Sequence, residues 1–166
     1  MSRASRFSFI PPQLPSLTDQ PPESSNWIHE VKHDGYRTML LVRRGTALAY
    51  TRNGHDWSER YRGIITAARK LPCRTAILDG EVIVQDARGI SDFGALQAAL
   101  RSEPASLIFY VFDVLHLDGK DLREIPLTER RVKLQRLLGI DPTNQLQFSE
   151  EFVGRCRRLL SRLCRP

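Results

Sequence analysis

"NWIHEVKHDGYR", residues Asn26 to Arg37, reads as a strand that carries a lysine and then turns. Side chains two apart along a strand share a face. Ile28, Glu30 and Lys32 therefore point one way, and Trp27, His29, Val31 and His33 the other. Asp34-Gly35 supplies the turn and Arg37 closes the stretch. A glutamate and a lysine on the face of Ile28 predict a partly enclosed polar pocket. On periodicity alone, a surface cross-strand ion pair is the plainer reading.

On the N-terminal side, residues 1–25 are rich in proline and serine ("FIPPQLPSL", "QPPESSN"), which predicts an extended arm. On the other side the pattern stays β through "YRTMLLVRR" and "TALAYTR", which flank Arg44-Gly45, and Asn53-Gly54 marks a tight turn. A helix is expected from Ser58, as its N-cap, to Pro72. "TAILDGEVIVQD" reads as two strand segments around Asp79-Gly80, or as one strand with a bulge. A second helix fits "SDFGALQAALR" from Ser91. "SLIFYVFDVLHL" is an apolar, aromatic strand that turns at Asp118-Gly119. A third helix starts after Pro126 and ends at Gly139, and "QLQFSEEF" is one more strand. Strands come in hairpin-like groups with helices between the groups, which predicts an α+β fold with mainly antiparallel sheet.

The 166 residues, 41% hydrophobic and 27% charged, provide for one domain with a sizeable core. No apolar run approaches the roughly 18 to 20 residues of a membrane span. The apolar stretch after Arg3 and Arg6 breaks at Pro11-Pro12, too soon for a secretory leader. Three cysteines without framework spacing point to the reducing cytoplasm. The net charge of +6 is concentrated in residues 155–166, "RCRRLLSRLCRP", with five arginines and no acid. Without them, 20 basic residues face 19 acidic ones, so bulk basicity says little about a DNA-binding surface.

Five ordered blocks carry a resemblance. "EVKHDGYR" matches the K-x-D-G-x-R pattern of covalent nucleotidyltransferases, which include ATP-dependent DNA ligases, RNA ligases and capping guanylyltransferases. "WIHEVKHDGYR", "TRNGHDW", "LDGEVIV", "SDFGALQ" and "FYVFDVLHLDGKDLREIPLTERR" most resemble the ligase domain of bacterial end-joining polymerase-ligases, over roughly residues 7 to 153. The resemblance implies a covalent nucleotidyltransferase (ATP-grasp-like) adenylation domain over residues 26–154, acting on nicked or broken double-stranded DNA alongside end-joining proteins.

It also implies roles for single residues. Lysine with a pKa of ~10.4 is only about 0.1% neutral near pH 7.5, so a nucleophilic lysine needs a pocket that frees its amine. Lys32 would attack the α-phosphorus of ATP, leaving lysyl-AMP. Glu30 would read the adenine amino group, as a carboxylate acceptor can; a structural pair with an arginine is the alternative. Arg37 and Arg52 carry fork-shaped donors suited to ribose and phosphate oxygens; beside Asn53-Gly54, Arg52 also fits a solvated turn residue. Glu81 falls at the ribose-hydroxyl or metal end of the site, with Mg2+ or Mn2+ as the divalent ion. Asp79, before a glycine, reads rather as turn chemistry. Phe112, which periodicity alone assigns to the core, falls where the family stacks an aromatic on the purine. The four histidines have no zinc spacing.

After "FSEEF" the family continues with an E-G-hydrophobic-x-x-K block, a K-x-K strand and an OB-fold domain, and here "GRCRRLLSRLCRP" stands instead. Residues 155–166 are therefore expected to be an Arg-rich non-family tail, read as the product of a frameshift after Gly154. An amphipathic helix with Leu159, Leu160 and Leu163 as its stripe is the alternative. The adenylation domain is expected to be incomplete at its C-terminus, with full nick sealing lost. Two rivals remain: an RNA ligase or guanylyltransferase, and a basic fragment that holds nucleic acid through its arginines with steep salt dependence.

Overall fold

The computed structural model describes residues 7–19, 27–102, 106–139 and 145–153. In chain order the elements are β1 (Ile28–Glu30), β2 (Tyr36–Arg43), β3 (Thr46–Thr51), α1 (Arg62–Ala68), β4 (Thr75–Ile83), α2 (Phe93–Ser102), β5 (Ile108–Leu117), β6 (Lys120–Asp121), α3 (Leu127–Leu138), β7 (Leu146–Phe148) and β8 (Glu151–Val153). They form two compact units. Among the described residues, one comprises those within 7–12 and 33–148; the other comprises those within 13–32 and 149–153. Residues 155–166 lie outside the described residues, and so does the stripe of Leu159, Leu160 and Leu163.

The larger unit is a six-stranded sheet in the order β3-β2-β4-β5-β6, with β7 added parallel to β5 and every other pair antiparallel. This is the α+β class read from the sequence. Alternation along β2 and β4 divides the sheet into two faces. On one, Leu40, Val42, Leu78 and Val82 meet Ile64 and Ile65 of α1, Leu96 of α2, and Leu134 and Leu137 of α3 in the main core. Each such side chain, fully buried, contributes about 2 kcal/mol. On the other, Met39, Leu41 and Ile77 form a smaller cluster against Phe7, Phe9 and Ile10 of the N-terminal arm. Arg37 of β2 and Asp79 and Glu81 of β4 continue that second face. Residues 7–19 hold no helix or strand.

The second unit contains a two-stranded sheet in which Ile28, His29 and Glu30 oppose Val153, Phe152 and Glu151. Strand β1 ends at Glu30, so Lys32 sits in the irregular segment that follows, not in the strand expected to run through His33. "QLQFSEEF" is two short strands in different sheets, because β7 joins β5 while β8 joins β1.

Two further expectations shift. Helix α1 starts at Arg62 rather than after Ser58. The Ser58 hydroxyl is engaged elsewhere: it accepts from the Ala49 amide at 2.9 Å and donates to Asp56 Oδ1 at 2.6 Å, which ties the loop to β3. Asp79-Gly80 is no turn but the middle of the continuous strand β4. A Cβ at Gly80 would run into the Tyr110 carbonyl oxygen and the Phe109 ring, so glycine is there to let β5 approach. The bulges lie on β5 instead. Asp79 opposes Asp113 and Gly80 opposes Val111, which leaves Phe112 as the extra residue. Helix α3 spans the expected residues and stops at Gly139. Strand β6, only Lys120 and Asp121, is too short to leave a pattern.

Candidate active site

Strand pairing gathers side chains from three separated blocks. Arg37 donates through Nε to Asp79 Oδ1 at 2.7 Å and through Nη2 to Asp79 Oδ2 at 2.9 Å. Its guanidinium also lies 4.4 Å from the centroid of the Phe112 ring, within cation–π range. Glu81, half-buried, faces Arg37 across the β2–β4 ladder and Tyr110 across the β4–β5 ladder. Burial pushes the Asp79 carboxyl above its ordinary range, and the hydrogen bonds and charge of Arg37 pull it back. The second face thus ends in a guanidinium fixed between a carboxylate and an aromatic ring, with another carboxylate beside it.

Asp79, the residue given to turn chemistry, is the anchor of this group. Phe112 is only half-buried and turned toward Arg37 rather than lost in the core. Arg52 is exposed at the turn that ends β3, where the Gly54 amide donates to the Thr51 carbonyl at 2.8 Å. Glu30 and Lys32, both exposed, belong to the other unit. Among the described residues no group of three or more His, Cys, Asp or Glu could hold a metal, and no helix is long and apolar enough to cross a membrane.

The turn that follows Lys32 is pinned at three points. The His33 ring stacks on Tyr110 at 4.4 Å. The Asp34 amide donates to Ser91 Oγ at 3.2 Å. Gly35 lies so close to β4 that a Cβ would overlap the Val82 carbonyl oxygen. Tyr110 is itself held, since its hydroxyl accepts from Gln85 Nε2 at 3.0 Å, and Gln85 bridges to Ser91. Asp92, not Ser91, caps α2 by accepting from the Ala95 amide at 2.9 Å, which leaves Ser91 to the turn. An aromatic chain continues from the turn: Tyr36 contacts Trp57 at 5.3 Å and Phe93 at 5.4 Å. Sequence reasoning passed over Tyr110, Gln85 and Ser91 as site residues. The one available signal was that Tyr110 and Phe112 stand two apart in the same aromatic block.

Beneath the site, α3 supplies two consecutive arginines. Arg130 donates to both oxygens of Asp113 at 2.8 Å, and Arg131, 2% exposed, donates to the Phe112 carbonyl at 2.9 Å.

This chain is similar to several known proteins. The profile of the family described as "ATP dependent DNA ligase domain" matches residues 13–165. The multifunctional non-homologous end joining protein LigD of Pseudomonas aeruginosa is 40% identical over 158 residues, covering 95% of this chain and 19% of that protein. A probable DNA ligase of Streptomyces coelicolor is 38% identical over 120 residues, covering 66% of this chain and 23% of that one. The chain therefore spans about a fifth of the length of these curated relatives. A solved structure, mycobacterial DNA ligase D complexed with ATP and MES, superposes with a TM-score of 0.67 at 26% identity, over 81% of this chain and 42% of that one. With its blocks in order and its profile matched over nearly its whole length, the chain belongs to the ATP-dependent DNA ligase domain family.

Proposed function

We propose that this chain carries out the adenylation step of an ATP-dependent DNA ligase. The neutral Lys32 amine attacks the α-phosphorus of ATP. An N–P bond forms as the bond to the bridging oxygen breaks, pyrophosphate leaves, the amine proton goes to solvent, and lysyl-AMP remains. In the whole ligase the AMP then passes to a 5′-phosphate at a nick or break in double-stranded DNA, and the 3′-hydroxyl displaces it. End-joining proteins as partners and a cytoplasmic setting belong to the same reading.

The observation that carries this reading is the Arg37–Asp79–Phe112 group with Glu81 beside it, assembled from three family blocks on one sheet face. Phe112 takes the purine by stacking; with Arg37 on one side of the ring, the base takes the other. Arg37, oriented by Asp79, and Arg52 serve the ribose and phosphate oxygens, and Glu30 reads the adenine amino group. The divalent ion falls to Glu81, the position the family resemblance gives it, while Asp79 holds Arg37. One carboxylate plus the triphosphate's own oxygens is a donor set that Mg2+ accepts, and the ion would offset phosphate charge.

The test is incubation of the purified chain and its Lys32→Ala variant with ATP labelled at the α-phosphate and Mg2+, followed by denaturation. Label retained on the parent and absent from the variant is expected. Equal label on both would remove Lys32 as the nucleophile.

A further inference from the structure

We propose that Arg130 and Arg131 of α3 are positioning residues for the Phe112 ring, so that this helix sets how tightly the base of the nucleotide is held. The inference rests on the reading of Phe112 as the base platform.

Phe112 is the extra residue of a bulge, so the β4 ladder gives it no partner to fix its direction. Its neighbours in register, Val111 and Asp113, are paired to Gly80 and Asp79. What fixes the bulge comes from α3. Arg131 Nη1 donates to the Phe112 carbonyl at 2.9 Å, and its guanidinium lies 4.7 Å over the Phe148 ring of β7. Arg130 takes both oxygens of the next residue, Asp113, at 2.8 Å, and its Nη1 donates to the Ile125 carbonyl at 2.7 Å.

A merely structural helix would not need this arrangement. Arg131 is the largest fully buried side chain among the described residues, while the other core positions of α3 are Leu134, Leu137 and Leu138. Burying a guanidinium is unfavourable unless its donors find acceptors, and here an acceptor is the carbonyl of the bulged residue. Displacing that carbonyl turns the peptide on which the Phe112 ring stands. The opposite side of the bulge is closed by Arg37, which touches the ring and grips Asp79, the register partner of Asp113. The ring is thus held from the helix side through its own backbone and from the sheet side through its face.

The test uses the full chain in a Lys32→Ala background, so that calorimetry with ATP reads binding alone. Arg131→Lys keeps the charge but loses the planar fork, and Arg130→Gln frees Asp113 without touching the buried site. Base stacking sets the scale: the Kd for ATP is expected to rise about tenfold for Arg131→Lys, and less for Arg130→Gln. Combined with Phe112→Leu, Arg131→Lys adds little further loss, because both remove the same contact. Hydrogen exchange is expected to quicken at Val111 to Val114 and to stay as in the parent along β2 and β4. Additive losses, or unchanged exchange at the bulge, would overturn the inference. A Phe112→Leu variant that binds ATP as the parent does would instead sink the base-platform reading; an Arg131→Lys variant that binds normally while Phe112→Leu does not would sink only the positioning role.

Discussion

Arg37 and Asp79 meet diagonally. The residue directly opposite Arg37 in the β2–β4 register is Glu81, and two guanidinium hydrogen bonds reach past it to Asp79, two positions along. A long side chain reaches a diagonal neighbour on the same face without strain.

Because Asp79 is 4% exposed, removing its partner strands a buried carboxylate. Arg37→Met is expected to cost about 3 kcal/mol, read as a lowered urea midpoint with unchanged slope. Adding Asp79→Leu is expected to restore most of the stability but none of the labelling by ATP. Restored labelling would mean that the pair serves folding only.

Gly35→Ala places a methyl against the backbone oxygen of Val82 and the side chain of Ile83. Backbone cannot rotate aside as a side chain tip can, so a loss of about 2 kcal/mol is expected, with lysyl-AMP formation reduced more than the stability change explains. Thermal unfolding beside a labelling time course separates the two effects.

His33 and His116 make stability depend on pH. Burial lowers both below the ordinary 6.5; for His116, Asp121 and Asp118 act in the opposite direction. Just below 6.5 the unfolded chain therefore binds protons that the folded chain does not, so stability is lost as pH falls through that value and gained as pH rises. Urea midpoints between about pH 5 and 7 are expected to climb in the parent, and to climb less steeply in a His33→Gln, His116→Gln double variant. An unchanged slope would mean that neither ring carries the effect.

Tyr110→Leu removes the ring under His33 and the acceptor of Gln85. The turn after Lys32 keeps its Ser91 and Val82 contacts. Labelling is expected to slow by about tenfold, the equivalent of losing about one aromatic contact, while Tyr110→Phe, which keeps the stack, stays close to the parent. Equal slowing in both would assign the effect to the hydroxyl.

The sequence reading was reliable where the signal is local. Asp118-Gly119, the start of α3 after Pro126 and its stop at Gly139 all declare themselves within a few residues. It failed where the cause lies across the sheet. Gly80 looks like a turn glycine because close approach by a neighbouring strand and a tight turn call for the same residue. Ser58 looks like a cap because nothing in sequence shows that Ala49 and Asp56 claim its hydroxyl. The site blocks were legible through the family resemblance, but the partner of Arg37 was not. The reach of Arg37 to Asp79 depends on register and twist, and the buried Arg131 depends on a bulge that forms only when β4 and β5 pair.

The pairing of β1 with β8 has a bearing on how the chain is made. Strands β2 to β5 find one another within residues 36–117, so that ladder can assemble while the ribosome is still working. Ile28 meets Val153 only after almost all the described residues have been synthesised. Long-range pairing of this kind is the slow part of folding, and the entropy of closing so large a loop is recovered only by the last contacts formed. Among the described strands, the one that leads toward Lys32 is therefore the last to acquire its partner, and a nascent chain holds the β2–β5 ladder well before β1 is paired.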